Sequence, residues 1–331
     1  MVLSFSTSII NDMLLFSIAL VAGLILLVLS SDKFIEHSAL VAKKLNVNPM
    51  VIGITLVAFG TSAPEMVVSA IAALDNAPEI AIGNVLGSNI ANIALVLGIT
   101  LLFSAIPIAQ GLSTKEVPLV LTITLLTGFL LFDQTLEAWD GIILIAAFLI
   151  VLILLLRGSK DLEDELDELS EHEDTSIGKS LIIALIGLAV LIGSSKLLVW
   201  GAIGIATALG VSELVIGLTI VAIGTSLPEL AASVSSVRKG HHDIAIGNVL
   251  GSNIFNLATV LPLPALLAPG VIDSSVTHRD FPWVLGLTLA LALAIYIFKK
   301  TKKNAIPRWV GLPLIACYGV YLFILSTNGS M

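Results

Sequence analysis

An eleven-residue string, IAIGNVLGSNI, occurs twice in this chain without a change, at Ile80–Ile90 and again at Ile244–Ile254. It is the centre of a longer repeat. Val51–Leu97 aligns with Val215–Leu261 at a constant offset of 164, with 27 identities in 47 positions. The register holds further out, where Ser30-Ser31 falls on Ser194-Ser195 and Glu116-Val117-Pro118 on Asp280-Phe281-Pro282. One unit is therefore written twice, and whatever the first copy folds into, the second must fold into as well.

Polarity decides what that unit is. Of 331 residues, 57% are apolar and 12% charged, where soluble domains run to about 45–50% and about 25%. So few charges cannot cover a soluble surface. The apolar content excludes disorder, the lone Cys317 excludes a disulfide scaffold, and no basic patch offers itself to nucleic acid. A membrane-spanning helix takes about 20 apolar residues, and the apolar runs here do not alternate as barrel strands would. The sequence predicts an all-α integral membrane protein. Its first five spans fall at Met13–Ser30, Leu45–Leu74 (broken), Ile80–Phe103, Val117–Phe132 and Gly141–Leu156. The second five fall at Ser180–Gly201, Leu214–Val237 (broken), Ile244–Leu267, Phe281–Phe298 and Trp309–Ser326. The first run has an apolar core too long for a cleaved signal peptide and no basic residue ahead of it, so it reads as a span.

Ten spans put alternate loops on the same side, and the basic residues choose the side. Lys33, Lys43, Lys44, Lys115, Arg157, Lys160, Lys179, Arg238, Lys239, Lys299, Lys300, Lys302, Lys303 and Arg308 share one side, fourteen of sixteen. Arg279 sits in an opposite loop and Lys196 within or at the end of span six. The expectation is a multi-pass protein of the cell (inner) membrane with both termini on the non-cytoplasmic side. The chain divides into a first five-helix repeat (1–157), an acidic cytoplasmic linker (158–178) and a second five-helix repeat (179–331). An odd number of spans per unit turns the second copy upside down, the architecture of secondary transporters with a site near the midplane. The linker run Asp161–Asp174 carries nine carboxylates in fourteen residues but lacks glycine and the ligand order of an EF-hand loop. It reads as a solvated connection.

Spans two and seven carry Gly60-Thr61-Ser62-Ala63-Pro64-Glu65 and Gly224-Thr225-Ser226-Leu227-Pro228-Glu229. A glutamate at membrane depth costs at least a few kcal/mol and is tolerated only facing a partner or a wet cavity. Proline and glycine loosen the helix, and carbonyls freed in this way must find a partner that lipid does not supply. A desolvated cation is such a partner. Ser88 with Asn92, and Ser252 with Asn256, stand four apart and share a helix face in the following spans. Gly83 with Gly87, and Gly247 with Gly251, form small-xxx-small pairs that let helices approach closely. Asn84, Asn89, Asn248 and Asn253 have interhelical hydrogen bonding as their alternative use. Two carboxylates among neutral oxygens suit Ca²⁺ or Na⁺ better than Zn²⁺ or copper, and Mg²⁺ would demand tighter octahedral geometry. A charge of −2 is balanced by one divalent ion or by two sodium ions, so competition for shared ligands is a physical basis for exchange.

With GTSAPE and GNVLGSNIAN followed by GTSLPE and GNVLGSNIFN, the chain resembles the cation/calcium exchanger superfamily, specifically bacterial sodium/calcium antiporters. The resemblance implies a ten-helix fold with a diamond of ion positions at the repeat interface, opened to either side by spans one and six sliding across a fixed core. Carried over by position, the central acids are Glu65 and Glu229, joined by Asn92 and Asn256. The flanking ligands would be Ala58, Thr61, Ser62 and Ser88, then Ala222, Thr225, Ser226 and Ser252, with the alanines acting through backbone carbonyls. Some relatives have Asp where this chain has Asn256, which is tied to potassium co-transport in one branch; Asn here implies no potassium requirement.

The expected function is therefore secondary antiport of Ca²⁺ against Na⁺, with no cofactor and no enzymatic activity. Proton coupling is the nearest alternative, and a passive cation channel is a further one. An intramembrane hydrolase at Ser62 or Ser226 lacks a base, since these spans contain no histidine. His241 and His242 fall in a cytoplasmic turn beside Arg238 and Lys239, and Lys196 stands opposite Asp32 in the repeat, where the copies diverge.

Overall fold

The computed structural model describes residues 2–45, 47–109, 111–157, 176–210 and 222–328, without the side chains of 2–11, Arg157, Ala222 and Asn328. The acidic run and the first part of the seventh expected span lie outside the described residues. The helices are α1 (Val2–Leu45), α2 (Pro49–Thr61), α3 (Ala63–Leu74), α4 (Pro78–Phe103), α5 (Leu112–Asp133) and α6 (Ala138–Arg157). After the linker come α7 (Ile177–Ala208), α8 (Ala222–Thr225), α9 (Leu227–Arg238), α10 (His242–Leu267), α11 (Val276–Lys299) and α12 (Arg308–Thr327). Eight helices among the described residues are long and apolar enough to cross a membrane, or nine with the bent pair α2–α3 counted as one span.

The first helix departs from its expected length. It runs unbroken for 44 residues, well beyond Ser30, so Lys33, Lys43 and Lys44 ride on the helix rather than in a loop. At 1.5 Å per residue it is about 66 Å long, twice what a bilayer core of about 30 Å requires. Hydropathy reports uncharged runs; it misses a helix that continues, as this one does through the buried Phe34, Ile35 and Ala42, with charged residues among its buried ones.

Long helices α1 and α7 occupy equivalent places in the repeat and cross antiparallel. A Cβ on Gly23 would come within 2.7 Å of the Leu198 backbone, and one on Gly187 within 3.1 Å of Phe34. Residues 23 and 34 are the repeat equivalents of 187 and 198, so one contact is made twice. Gly201 extends the seam against Phe16 and Leu20. Lipid tails are as apolar as these side chains, so close packing at small residues, not the hydrophobic effect, holds such a pair together.

At the centre stand α4 and α10, whose most apolar stretches are 83% and 94% buried, against 17% to 39% in the other six spanning helices. Helix α2 of the first copy presses on α10 of the second. Gly247 lies against the Met50 carbonyl, while Gly251 lies against Ile54 and Ala58. Local irregularities repeat with the sequence: π-helical turns at Asn92–Leu97 and Leu112–Glu116 recur at Asn256–Val260 and Val276–Asp280. Two short ribbons join the copies. Strand β1 (Ile106–Pro107) pairs antiparallel with β4 (Ala305–Ile306), and β2 (Thr135–Leu136) with β3 (Gly270–Val271).

Candidate ion site

The chain breaks at serine rather than at proline. Ser62, at φ −83° and ψ 1°, leaves the helical path between α2 and α3, whose axes differ by 46°. Ser226 does the same between α8 and α9, at φ −90° and ψ 6°. Pro64 and Pro228 sit in the first turn of the helices that follow, where a missing N–H costs nothing. This placement brings Glu65 and Glu229 into the first turns of α3 and α9, where the positive end of the helix dipole favours a carboxylate.

Both glutamates are 1% exposed. The Ser62 hydroxyl donates to Glu229 Oε1 at 3.3 Å, a contact between the two copies. Thr61 crosses the same boundary, its hydroxyl donating to Asn248 Oδ1 at 3.2 Å. Around them lie buried polar atoms with no hydrogen-bond partner among the described residues. Six of the expected site residues contribute them, with Glu65 Oε2, Glu229 Oε2, Ser226 Oγ, Ser252 Oγ and both side-chain polar atoms of Asn92 and Asn256; on the same two central helices Asn89 Oδ1 and both polar atoms of Asn253 are also without a partner. Burying a polar group without a partner costs on the order of 1–3 kcal/mol. Six residues with orphaned atoms in one interior are costly unless a ligand completes them.

Asn92 and Asn256 each open a π-helical turn, a local widening of the kind that recurs at functional sites. A third such turn, Gly53–Val57, ends directly before Ala58, which is fully buried. Ser88 is buried one turn before Asn92 on α4, and Thr225 is half-buried at the end of α8. Ala222 opens α8, and its side chain is outside the described residues. No group of three or more His, Cys, Asp or Glu gathers among the described residues. The donor set is two carboxylates with neutral hydroxyl and amide oxygens, which is hard-cation chemistry.

Of the four asparagines that the sequence could not sort, three hydrogen-bond within the protein and Asn253 has no partner among the described residues. Asn84 Nδ2 donates to the Glu65 carbonyl and to Ser69 Oγ, at 3.3 and 3.0 Å. Asn248 repeats the pattern on the Glu229 carbonyl and Ser233 Oγ, at 3.1 and 2.9 Å. Asn89 instead bonds the Val85 carbonyl of its own helix. Ser69 and Ser233 were not legible as functional; their one signal is that both recur at the offset of 164, four residues after each glutamate.

Away from this centre, Ser235 donates to Asp32 at 2.5 Å and Lys239 meets Glu36 at 3.4 Å, tying α1 to the end of α9. Lys196, the repeat partner of Asp32, is exposed on α7. In the turn after α9, burial first and then the charges of Lys239 and His242 push His241 below the ordinary imidazole range.

A family profile described as sodium/calcium exchanger protein matches residues 15–157 and 179–327. The putative antiporter CaxA of Alkalimonas amylolytica is 42% identical over 321 residues, covering 96% of this chain and 100% of that one. Inner membrane protein YrbG of Escherichia coli K12 is 35% identical, over 95% of this chain and 97% of its own. The sodium/calcium exchanger MaX1 of Methanosarcina acetivorans is 33% identical, over 92% and 97%. Among solved structures, the sodium-calcium exchanger NCX_Mj soaked with 10 mM Na⁺ superposes with a TM-score of 0.80 at 33% identity, covering 93% of this chain and 98% of that one.

Proposed function

The chain belongs to the sodium/calcium exchanger protein family, and from that membership we propose that this multi-pass membrane antiporter moves Ca²⁺ against Na⁺ through one site shared by its two halves. The observation that carries the proposal is the Ser62–Glu229 contact, set among buried oxygens of Glu65, Asn92, Ser226, Ser252 and Asn256 that have no partner among the described residues. Glu65 and Glu229 supply the charge. Asn92 and Asn256 supply amide oxygens, and the hydroxyls or carbonyls of Ala58, Thr61, Ser62, Ser88, Ala222, Thr225, Ser226 and Ser252 supply the rest. One Ca²⁺ neutralises the pair of carboxylates, and so do two Na⁺, so each cation displaces the other from ligands that cannot serve both.

The architecture is two inverted five-helix repeats, ten spans in all, with spans two and seven broken. Antiparallel crossing of the equivalent helices α1 and α7 supports inversion, since a repeat related by simple translation would leave them parallel. The ribbons support the count of ten. Strand β1 follows α4 and β4 precedes α12, and their pairing puts both loops on one side of the membrane. That requires an even number of crossings between them, reached only if the chain around α8 and α9 is a span. Ten spans put both termini on one side, and the basic residues gathered in the alternate loops make that side the non-cytoplasmic one, with the acidic segment 158–178 joining the halves on the cytoplasmic side.

Reconstituted vesicles test the coupling. ⁴⁵Ca²⁺ uptake into Na⁺-loaded proteoliposomes at clamped pH is expected to require the outward Na⁺ gradient. Uptake driven by a proton gradient alone would make the coupling ion H⁺, and flux without any counter-gradient would make the protein a channel.

A further inference from the structure

Resting on the cation site proposed above, we infer that Asn248, and with it Asn84, is a positioning residue that fixes the height and azimuth of the glutamate-bearing helices. The amide orientation of Asn248 is determined by chemistry: the Glu229 carbonyl can only accept, so Nδ2 faces it, and Oδ1 is left to accept from Thr61. Asn248 is fully buried and joins three helices. Its nitrogen spans one turn of α9, from the Glu229 carbonyl to the Ser233 hydroxyl four residues on, while its oxygen holds α2 of the other copy. The same nitrogen geometry recurs at Asn84, Glu65 and Ser69. One arrangement built twice in a single molecule is not an accident of local packing.

The spacing explains the purpose. Asn248, Ser252 and Asn256 step by four along α10, as Asn84, Ser88 and Asn92 do along α4, each step rising about 6 Å on one face. The first residue of each stripe grips the turn that bears the glutamate. The next two face the site. The asparagine thereby sets how far the carboxylate stands from the Ser and Asn oxygens with which it must share a cation. The Thr61 hydroxyl, which also lies 3.4 Å from the Ala58 carbonyl, keeps its oxygen lone pairs for an ion while it donates to Asn248. Partners that orient a metal ligand are commonly worth about 10–100-fold in metal affinity.

Direct binding of ⁴⁵Ca²⁺ to purified protein tests this, read beside melting temperature and monodispersity. Asn248→Ala is expected to weaken Ca²⁺ binding by about 10–100-fold while the protein inserts and elutes as wild type. Ser69→Ala and Ser233→Ala each take away the hydroxyl that the asparagine nitrogen bonds and leave its bond to the glutamate carbonyl, so smaller losses are expected, and they keep the test open should Asn248→Ala fail to fold. Weakened binding in these two variants at unchanged melting temperature supports positioning. Unchanged affinity, or a loss only in proportion to unfolded protein, overturns it. Wild-type protein that binds no Ca²⁺ would overturn the proposed site and this inference together; wild-type binding matched by the variants overturns this inference alone.

Discussion

Ser62 and Glu229 belong to different copies of the repeat, 167 positions apart, yet the serine hydroxyl donates to the glutamate carboxylate at 3.3 Å. Neither copy alone can form that contact. A site assembled in this way changes whenever one copy moves against the other, which is the property an alternating-access transporter needs.

Charge-neutral replacement of either acid should stop exchange. Glu65→Gln and Glu229→Gln keep the shape and remove one of the two charges that balance a divalent ion. Both variants are expected to insert normally and to show no Na⁺-dependent ⁴⁵Ca²⁺ uptake. Asn89→Ala should be milder, because the Asn89 amide nitrogen bonds its own helix and leaves only Oδ1 without a partner; an equal loss there would mean that the ion-facing side of α4 has been misidentified.

The α2–α10 seam should not tolerate side chains. A Cβ on Gly251 would stand 2.5 Å from the Ile54 carbonyl oxygen and 2.7 Å from the Ala58 Cβ. Gly251→Val is expected to destabilise the fold by about 1–3 kcal/mol, the usual cost of overpacking, and to displace Ala58 from the site. Thermal melting in detergent and Ca²⁺ half-saturation should worsen together. A variant with wild-type melting and affinity would contradict the close approach.

His241 offers a pH test with a definite sign. Burial, then Lys239 and His242, depress its proton affinity in the folded protein. The unfolded chain therefore binds that proton more tightly, and folding stability falls as pH drops below the ordinary imidazole value of about 6.5. His241→Gln should flatten the acid-side decline in melting temperature and leave the pH profile of exchange above neutrality unchanged. A profile that shifts above neutrality would give His241 a role in transport.

Much of this was readable from the sequence because a bilayer imposes simple demands. Apolar runs marked the spans, and the duplicated GTS-x-PE and GNVLGSN blocks marked the residues that could not be explained by lipid. Other features carried no such signal. The extension of α1 past Ser30 packs Phe34, Ile35 and Ala42 into the protein between charged residues, a mixed pattern that a search for uncharged runs passes over, so α1 was expected to end near Ser30. The π-helical turns at Asn92 and Asn256 have no compositional mark. The four-residue spacing of Asn84, Ser88 and Asn92 identified a face but not its neighbours, and only the packed helices show that Asn84 bonds the Glu65 carbonyl and Ser69 of α3. The sequence located the break only to the turn around Gly60 and Pro64; the structure puts it at Ser62, because proline is well accommodated in a first helical turn.

Competition at equilibrium tests the shared site most directly. ⁴⁵Ca²⁺ bound to the purified protein should be displaced by rising Na⁺ at constant ionic strength, with Glu65→Gln and Glu229→Gln binding neither ion measurably. Ca²⁺ binding that is indifferent to Na⁺, or that survives loss of either glutamate, would contradict a single cross-repeat site occupied by the two ions in turn.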